Sequence, residues 1–411
     1  MTTDSIRHSS SSFEAPAAVG FLRKLGLVLG AVGLLGSIVG FIIARDYFFR
    51  AGLVGCVFWV GISLGCLAIS MLGHLTGGDW QVVIRRVLEA SARVLWVPLL
   101  LLLLLFLAGG LPSLYEWAHP DKVQADHVLQ LKAPYFYWPH SSTQTPWFFY
   151  VRLLVYAAIW MGLAFSLSRL SKRQDETQDL ALISRMKMIS APGLIIYVLS
   201  LTFASVDWLM SLQPHWFSTI FGFYLVASQG LSGFAFLIVI AVLLSRSGTM
   251  EGIYQPRHFH DWGKLMFAFV MIWMYFSYSQ WLITWAGNLP EEISFFLARI
   301  RGGFGLLTLL IVIFHFVVPF SLLLSRDLKR NGNALILVAG TLLLMRWVEL
   351  FWQVEPAFHE QHAAYYWLYV AVPLLIGGVW LFFFSKALSS RPLLPIHDPY
   401  LPEAIAHGEH H

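Results

Sequence analysis

Charged side chains are scarce in this sequence of 411 residues. They make up 12% of it, while hydrophobic residues make up 57%; soluble domains average about 25% charged residues. Apolar runs of about 20 residues, each long enough to cross a bilayer, recur along the chain. This composition excludes a soluble globular protein and predicts an all-α integral membrane protein whose solvent is the lipid bilayer.

Cysteine is also scarce, because the only two are Cys56 and Cys66, in one apolar span. Ten helical residues separate them by about 15 Å, which is too far for a disulfide. Iron–sulfur clusters usually take four cysteine ligands. We therefore interpret both cysteines as packing residues and expect no cluster in this chain.

Motifs for other redox cofactors are lacking too. A haem b between helices needs axial ligands, usually paired histidines, at membrane depth, and only His315 lies in the middle of a span. No glycine-rich nucleotide loop stands between a strand and a helix. We expect that this chain binds no redox cofactor of its own, and we expect no nucleic acid among its partners.

The apolar runs predict about ten transmembrane helices. Lys and Arg concentrate on the cytoplasmic side of multi-pass proteins. Of the 27 Lys and Arg residues, 19 fall in connections on the side of the termini, 6 on the other side, and Arg152 and Arg346 within spans. Both termini are therefore predicted to be cytoplasmic. The spans lie near 25–44, 48–73, 86–109, 147–169, 188–212, 217–245, 262–287, 303–325, 333–352 and 364–386.

Polar segments flank the membrane domain, which we place at 21–386. Residues 1–20 are predicted to be a disordered cytoplasmic N-terminus without the features of a cleaved signal. Residues 387–411 are predicted to be a disordered, histidine-rich cytoplasmic tail. The largest outer connection, 110–146, is rich in Tyr, Trp and Pro. It is expected either to lie at the level of the lipid headgroups or to dock on an extrinsic partner.

An Asp-Trp pair occurs twice, in "LTGGDWQVVIRRV" before the third span and in "RHFHDWGKLMFAF" before the seventh. Asp79 and Asp261 are predicted to cap the N-termini of these helices. Four helices separate the two copies, which indicates a parallel internal repeat. We expect two related four-helix bundles, at about 48–212 and 217–352, plus two peripheral helices.

Ionisable residues within spans are costly, so each is a functional candidate. Asp207 lies near the outer end of the fifth span, and His215 follows it at the same surface. Glu89 and Arg93, in the third span, have the i,i+4 spacing of an ion pair.

The last three spans carry further candidates. His315 lies near the middle of the eighth span, where it is either a hydrogen-bonded packing residue or a ligand. Arg346 and Glu349 have the i,i+3 spacing of a salt bridge, and Gln353 follows one turn later.

The stretch "SQWLITWAGNLPEE" ends the seventh span. Tyr278, Trp281, Trp285 and Asn288 fall within an arc of about 80° on a helical wheel, and Tyr275 lies off that stripe. The stripe is either a packed aromatic face with interfacial tryptophan or the lining of a polar path. Proline followed by two acids predicts a short surface helix from Pro290 to about Ile300.

Two stretches carry a family resemblance: "HDWGKLMFAFVMIWMYFSYSQWLITWAGNLPEE", followed by Arg299, and "SVDWLMSLQPHWFSTIFGFYLVASQ". They resemble the second polytopic membrane subunit of bacterial alternative complex III, a quinol:cytochrome c (electron-acceptor) oxidoreductase. The membrane subunits of that complex belong to the polysulfide-reductase membrane-subunit (NrfD-like) family. The motifs cover about 60 residues, and the hydrophobic layout agrees over nearly the whole chain.

The resemblance implies a ten-helix subunit of the bacterial cytoplasmic (inner) membrane. It implies as partners a paralogous quinol-binding membrane subunit, an iron–sulfur protein, c-type cytochrome subunits with haem c, and a small membrane anchor. The paralogous subunit is then the main quinol site, and this chain offers a quinone-like cavity or a proton route.

Our first hypothesis is therefore a membrane subunit that supports assembly and conducts protons or holds quinone. Its candidate groups cross the whole bilayer depth: Glu89, Arg93, His260 and Asp261 on the inner side, Tyr275, Tyr278 and His315 in the middle, Asp207, His215, Arg346 and Glu349 further out, and the stripe residues Trp281, Trp285 and Asn288.

Three alternatives stay open. The chain itself binds quinol, with Asp207 and His215, or His315 and Tyr278, at the ring oxygens. It is a secondary transporter, although its prolines do not occur in the matching pairs typical of broken transporter helices. Or it is a purely structural scaffold.

Overall fold

The computed structural model describes residues 17–407 except 78, 140–144, 248–249, 251, 302 and 359–360. Within these residues the regular structure is helical and no β-strand is present. In this described part of the chain ten helices are long and apolar enough to cross a membrane, which confirms the predicted all-α, multi-pass membrane fold. They are α1 (Ala17–Ile43), α2 (Arg45–Thr76), α3 (Arg85–Leu114), α4 (Trp147–Thr177), α5 (Ala181–Leu212), α6 (Phe221–Ser245), α7 (Pro256–Gly287), α8 (Phe304–Leu324), α9 (Gly332–Ala357) and α10 (Ala363–Leu388).

Ten alternating spans place both ends of the helical domain on one side, which we call the terminal face. The opposite side, which carries the long connection after α3, is the loop face. Short helices on the loop face are Glu116–Ala118, Pro120–Ala125, His127–Tyr137, Pro290–Ile300 and Ala363–Tyr365, the last forming the first turn of α10. Those on the terminal face are Asp79–Val82, Arg326–Arg330 and Leu401–His407.

Helices α2 and α6 form the centre of the molecule, because they are the two most buried spans. Helices α3 and α5 pack on α2, and α4 packs on α3 and α5; helices α7 and α9 pack on α6, and α8 packs on α7 and α9. We call these groups bundle 1 (α2–α5) and bundle 2 (α6–α9). The backbones of α2 and α6 touch at their crossing, where a Cβ atom on Gly65 would lie 2.0 Å from the carbonyl oxygen of Gln229. Only glycine permits that approach.

Helices α1 and α10 pack against each other and lie beside α2, where the sequence predicts two peripheral helices. The predicted bundle boundaries stay a prediction. An internal duplication stays a prediction.

The two Asp-Trp motifs meet at the terminal face, where Trp262 Nε1 donates to the carbonyl oxygen of Trp80 at 2.8 Å. Asp79 begins the short helix Asp79–Val82. The predicted cap at Asp261 is wrong, because α7 begins at Pro256 and is capped by Gln255. Asp261 lies inside α7 and pairs with Lys264 at 2.7 Å.

The C-terminal tail is packed through residue 407, so the prediction of disorder is wrong there. Leu393, Leu394 and Leu401 are buried. Asp398 pairs with Arg85 at 2.6 Å, and His258 Nε2 hydrogen-bonds the carbonyl oxygen of Ala404 at 2.9 Å. Three buried leucines outweigh the polar composition on which that prediction rested. Residues 408–411 lie outside the described part of the chain.

The predicted boundary between the N-terminal segment and the membrane domain also differs from the structure. Residues 17–20 belong to α1, so the helix begins before the predicted boundary. The rest of the predicted disordered segment, residues 1–16, lies outside the described residues.

The long outer connection turns much of its aromatic surface inward. Tyr115, Trp117 and Phe136 are buried, and the rings of Trp117 and Phe136 stack with centroids 4.0 Å apart. Trp138 remains 62% exposed. The described part of the connection therefore packs on the loop face of bundle 1. This packing was not part of either expected role, at the lipid headgroups or on an extrinsic partner.

Removing the buried ion pair between Arg85 and Asp398 tests whether the packed tail stabilises the fold. Asp398→Ala leaves Arg85 buried without its carboxylate, and we expect the free energy of unfolding to fall by about 3–5 kcal/mol. The measurement is denaturant unfolding in detergent micelles. The control is Glu176→Ala in the exposed pair with Lys172, which should cost less than about 1 kcal/mol. Equal effects of the two substitutions would contradict a structural role of the tail.

Candidate functional site

A cavity of about 330 Å³ lies in the loop-face half of bundle 2. We call it the bundle-2 cavity. This volume lies at the lower end of the range for small-molecule sites. Seven of its twenty lining residues are Trp or Phe: Trp216, Phe221, Trp273, Trp281, Phe295, Phe296 and Trp352. Its polar lining residues are Tyr224, Ser277, Tyr278, Gln280, Arg299, Thr308, Glu349 and Gln353.

Glu349 forms the deep polar end of the cavity and is fully buried. Its Oε1 accepts hydrogen bonds from Trp273 Nε1 at 2.9 Å and from the Tyr224 hydroxyl. Its Oε2 accepts from Arg346 Nη1 at 2.6 Å. The predicted salt bridge between Arg346 and Glu349 is confirmed. Donors from α6, α7 and α9 thus compensate a carboxylate that would be costly to bury alone.

Gln353 continues this network towards the loop face. Its side-chain amide donates to the Tyr224 hydroxyl at 2.9 Å, and Tyr224 in turn donates to Glu349. The Oε1 atom of Gln353 is buried and has no hydrogen-bond partner within the described part of the chain. The result is a directed chain of hydrogen bonds, from amide to hydroxyl to carboxylate, beside the cavity.

His315 lies behind Glu349 in a π-helical turn of α8, Val312–Val317. Its ring stacks on Trp273 with centroids 4.2 Å apart, and its Nδ1 lies 3.8 Å from Glu349 Oε2. Neither ring nitrogen has a hydrogen-bond partner among the described residues. Buried polar groups of this kind are costly, and π-helical turns are frequent at functional sites. Tyr278 lines the cavity and His315 lies behind Glu349, so a quinone held between the two stays a prediction.

The cavity opens sideways towards the bilayer. Four of its lining residues are 38–57% exposed: Tyr278, Trp281, Ile300 and Val312. Helix α7 packs on the second half of α8, Val318–Leu324, while the first half, Phe304–Ile311, packs on the surface helix Pro290–Ile300 and on α9. The opening therefore lies between α7 and the first half of α8, beneath the surface helix.

The aromatic stripe of α7 divides at this opening. Tyr278 and Trp281 line the cavity. Tyr275, 65% exposed, and Trp285, 63% exposed, face outward. Asn288 is an exposed C-cap residue with φ 48°. The predicted surface helix is confirmed as Pro290–Ile300.

Asp207 and His215 are held by different partners, and a quinone pocket shared by the two stays a prediction. Asp207 accepts hydrogen bonds from Arg152 Nε and Nη2, both at 2.9 Å. His215 hydrogen-bonds Asp126 at 2.7 Å outside the spans. Burial acts to raise the pKa of Asp126, but backbone N–H groups and His215 outweigh it, so the pKa is lowered.

The inner candidates form separate clusters at the terminal face. Glu89 pairs with Arg86 at 2.8 Å and with Arg391 at 3.6 Å. Arg93 donates instead to Ser390 at 3.3 Å, so the predicted Glu89–Arg93 pair is wrong. Arg86 lies three residues before Glu89, and this spacing indicates an ion pair as well as the spacing of Arg93 does.

His260 and Asp261 lie close together at the start of α7, with His260 Nδ1 3.9 Å from Asp261 Oδ1. This pair belongs to the terminal face and not to the bundle-2 cavity.

Two residues that hold the site together, Tyr224 and Trp273, were not among the predicted site residues. Both belong to spans that are apolar on several sides, so helical periodicity did not identify their inward face.

No family model matches this chain, and no curated protein matches it. The family resemblance therefore stays a hypothesis, and the geometry has to support any assignment of function. Among the described residues, no group of three or more His, Cys, Asp or Glu could hold a metal ion.

The buried pair in bundle 1 is expected to be structural. Asp207→Ala should lower the free energy of unfolding by about 3–5 kcal/mol, because Arg152 is left buried without its carboxylate. The double variant Arg152→Met, Asp207→Leu should recover most of that loss, as apolar replacements of buried pairs often do. Unfolding in detergent measures both. A double variant no more stable than Asp207→Ala would point to a role for the pair beyond packing.

Proposed function

We propose that this chain is a membrane subunit of a quinol:cytochrome c (electron-acceptor) oxidoreductase of the bacterial inner membrane. We further propose that the bundle-2 cavity takes up quinol from the bilayer. One observation carries the proposal: an aromatic-walled cavity opens sideways to lipid and ends at a buried carboxylate, Glu349.

The shape and chemistry of the cavity suit a quinol. A quinol has a flat ring with hydroxyl groups and a long apolar tail, and such a ring fits an apolar slot with few polar groups. Phe295 and Trp352 supply ring faces, and Tyr224 and Glu349 supply polar atoms at the deep end. The opening beside Trp281 leaves room for the tail to extend into the lipid.

The polar network supplies a route for the proton. Oxidation of a quinol releases two electrons and two protons, and a carboxylate in contact with the ring hydroxyl acts as the general base. Glu349 would accept the two protons one after the other, directly or through the Tyr224 hydroxyl, which already donates to it, and would release the first before the second arrives. Arg346 Nη1 donates to the carboxylate at 2.6 Å and orients it.

The electrons would leave through partner subunits. The resemblance implies an iron–sulfur protein, haem c subunits, a paralogous quinol-binding subunit and a small anchor, and we propose these as the partners. In that arrangement the chain carries no redox cofactor of its own, and its residues bind the ring and move protons.

Proton conduction without quinol binding is a second candidate function, favoured by one observation. His315 lies 3.8 Å from Glu349 with both ring nitrogens unpartnered among the described residues. A water molecule or a small movement would connect the two groups and extend the route towards the terminal face.

A transporter is less well supported. The π-helical turns lie in α3 (Phe106–Gly110) and α8 (Val312–Val317), the second helix of bundle 1 and the third of bundle 2. Transporters with repeated bundles break their helices at corresponding positions. The two π-helical turns do not occupy corresponding positions, so they do not support a transporter.

Binding can be measured on the purified chain in nanodiscs, by quenching of tryptophan fluorescence with a short-chain quinone. Tyr224→Phe removes the donor to Glu349 and should weaken binding about tenfold, the effect of one buried polar group left unpaired. Tyr275→Phe, on the exposed side of α7, is the matched control and should leave the affinity unchanged. Equal affinities for all three proteins would count against the cavity as the site.

Catalysis is tested in the assembled complex by quinol-dependent cytochrome c reduction. Glu349→Gln keeps the shape of the side chain but removes the base, and the rate should fall by about 10²–10⁴. Binding of the oxidised quinone should change far less. An unchanged rate with intact assembly would overturn the role of Glu349 and leave quinol oxidation to another subunit.

A further inference from the structure

A second charged group, Arg299, lines the bundle-2 cavity at its loop-face end. It belongs to the surface helix Pro290–Ile300 and is 1% exposed. Its Nη1 donates to Gln213 Oε1 at 3.1 Å and to the Phe295 carbonyl oxygen at 2.8 Å. Its Nη2 donates to the Gln353 carbonyl oxygen at 2.6 Å. All three acceptors are neutral, and no described residue is a hydrogen-bond partner of the buried Nε.

The buried arginines elsewhere in the spans each have a carboxylate. Arg346 pairs with Glu349 at 2.6 Å, and Arg152 pairs with Asp207 at 2.9 Å. Across the part of the chain that the structure describes, no Asp or Glu forms an ion pair with Arg299. The ring of Phe295, 3.4 Å from the guanidinium carbon, is its main electrostatic support.

An unpaired cation in this position is unfavourable without a ligand. Burial lowers the pKa of the Arg299 guanidinium, because a medium of low dielectric constant disfavours the charged form. An anion in the cavity would remove that penalty, because a guanidinium forms charge-assisted hydrogen bonds with negatively charged oxygen atoms.

The two charged ends of the cavity are joined through one residue. The Gln353 carbonyl oxygen accepts from Arg299, and its side-chain amide donates to Tyr224, which contacts Glu349. The cavity therefore presents an acceptor at its deep end and a cationic donor at its loop-face end.

We propose that Arg299 is the anion-binding group of this cavity and selects a ligand in which a negatively charged oxygen is joined to an apolar body. The inference deepens the proposed function, because it concerns the same cavity. The shared chemistry has two sources, an ionised quinol-type ring and a fatty-acid carboxylate, and the experiment separates them.

A merely structural Arg299 would tie the surface helix to α9 and give no preference for charge. The first measurement therefore compares two ligands that differ only in charge, cis-parinaric acid and its methyl ester. Each is titrated at pH 8.5 into the full chain in zwitterionic nanodiscs, and energy transfer from the cavity tryptophans reports binding. We expect the acid to bind at least about tenfold more tightly than the ester, the size expected of a charge-assisted hydrogen bond.

The variants then assign that preference to one residue. Arg299→Gln should reduce the preference for the acid to less than about twofold and leave the ester affinity unchanged. Arg299→Lys, which keeps the charge, should retain part of the preference and serves if Arg299→Gln does not fold. Arg301→Gln, an exposed arginine two residues away, is the matched control and should behave like the unaltered chain.

Displacement of bound parinarate identifies the source of the anion. Displacement by an ionised alkyl hydroxynaphthoquinone but not by laurate indicates a quinol-type ring, and the reverse indicates a fatty acid. Either result supports the anion site. Displacement by laurate only would count against quinol as the ligand, and therefore against the proposed function, but not against the anion site. The anion site is overturned if acid and ester bind equally, or if neither Arg299 variant changes the preference. Neutral quinone binding in that case would leave the proposed function standing.

Discussion

The ion pair between Arg346 and Glu349 is the interaction on which bundle 2 depends. A carboxylate inside a membrane-spanning bundle is tolerated only with donors around it. Tyr224, Trp273 and Arg346 supply those donors from three helices. The pair therefore fixes how α6, α7 and α9 meet, and it also fixes the deep end of the cavity.

The π-helical turn in α8 follows from the same constraint. It places His315 against Trp273 and near Glu349, where a buried imidazole makes no hydrogen bond to the described residues. A structural core would replace such a ring with an apolar side chain at a gain in stability. The bundle thus retains a costly polar group next to its carboxylate, as sites for proton transfer do.

Each bundle contains an arginine–carboxylate pair, but the surroundings of the pair differ between the bundles. In bundle 1, Asp207 pairs with Arg152, and Tyr135 and Phe148 cover the guanidinium at 3.9 and 4.8 Å. The folded outer connection closes this pair off. In bundle 2 the corresponding region opens between α7 and α8. We therefore place function in bundle 2 and stability in bundle 1.

Hydropathy predicted the ten spans, since each must match the bilayer thickness. Local spacing predicted the Arg346–Glu349 pair and the helix from Pro290, because both depend on neighbours in sequence. The pairs Arg152–Asp207 and Glu89–Arg391 join distant segments, so spacing could not reveal them. The packed tail was missed because its few leucines stand among polar residues. In the cavity, residues from four helices and a surface helix meet, and only the fold brings them together.

The most direct test of this account is photolabelling of the intact complex in native membranes with an azidoquinone, followed by peptide mass spectrometry. We expect labels on this chain at the lateral opening, on Tyr278, Trp281 or Ile300. We also expect excess unlabelled quinone to prevent this labelling. Competable labels confined to bundle 1 or to other subunits would contradict it.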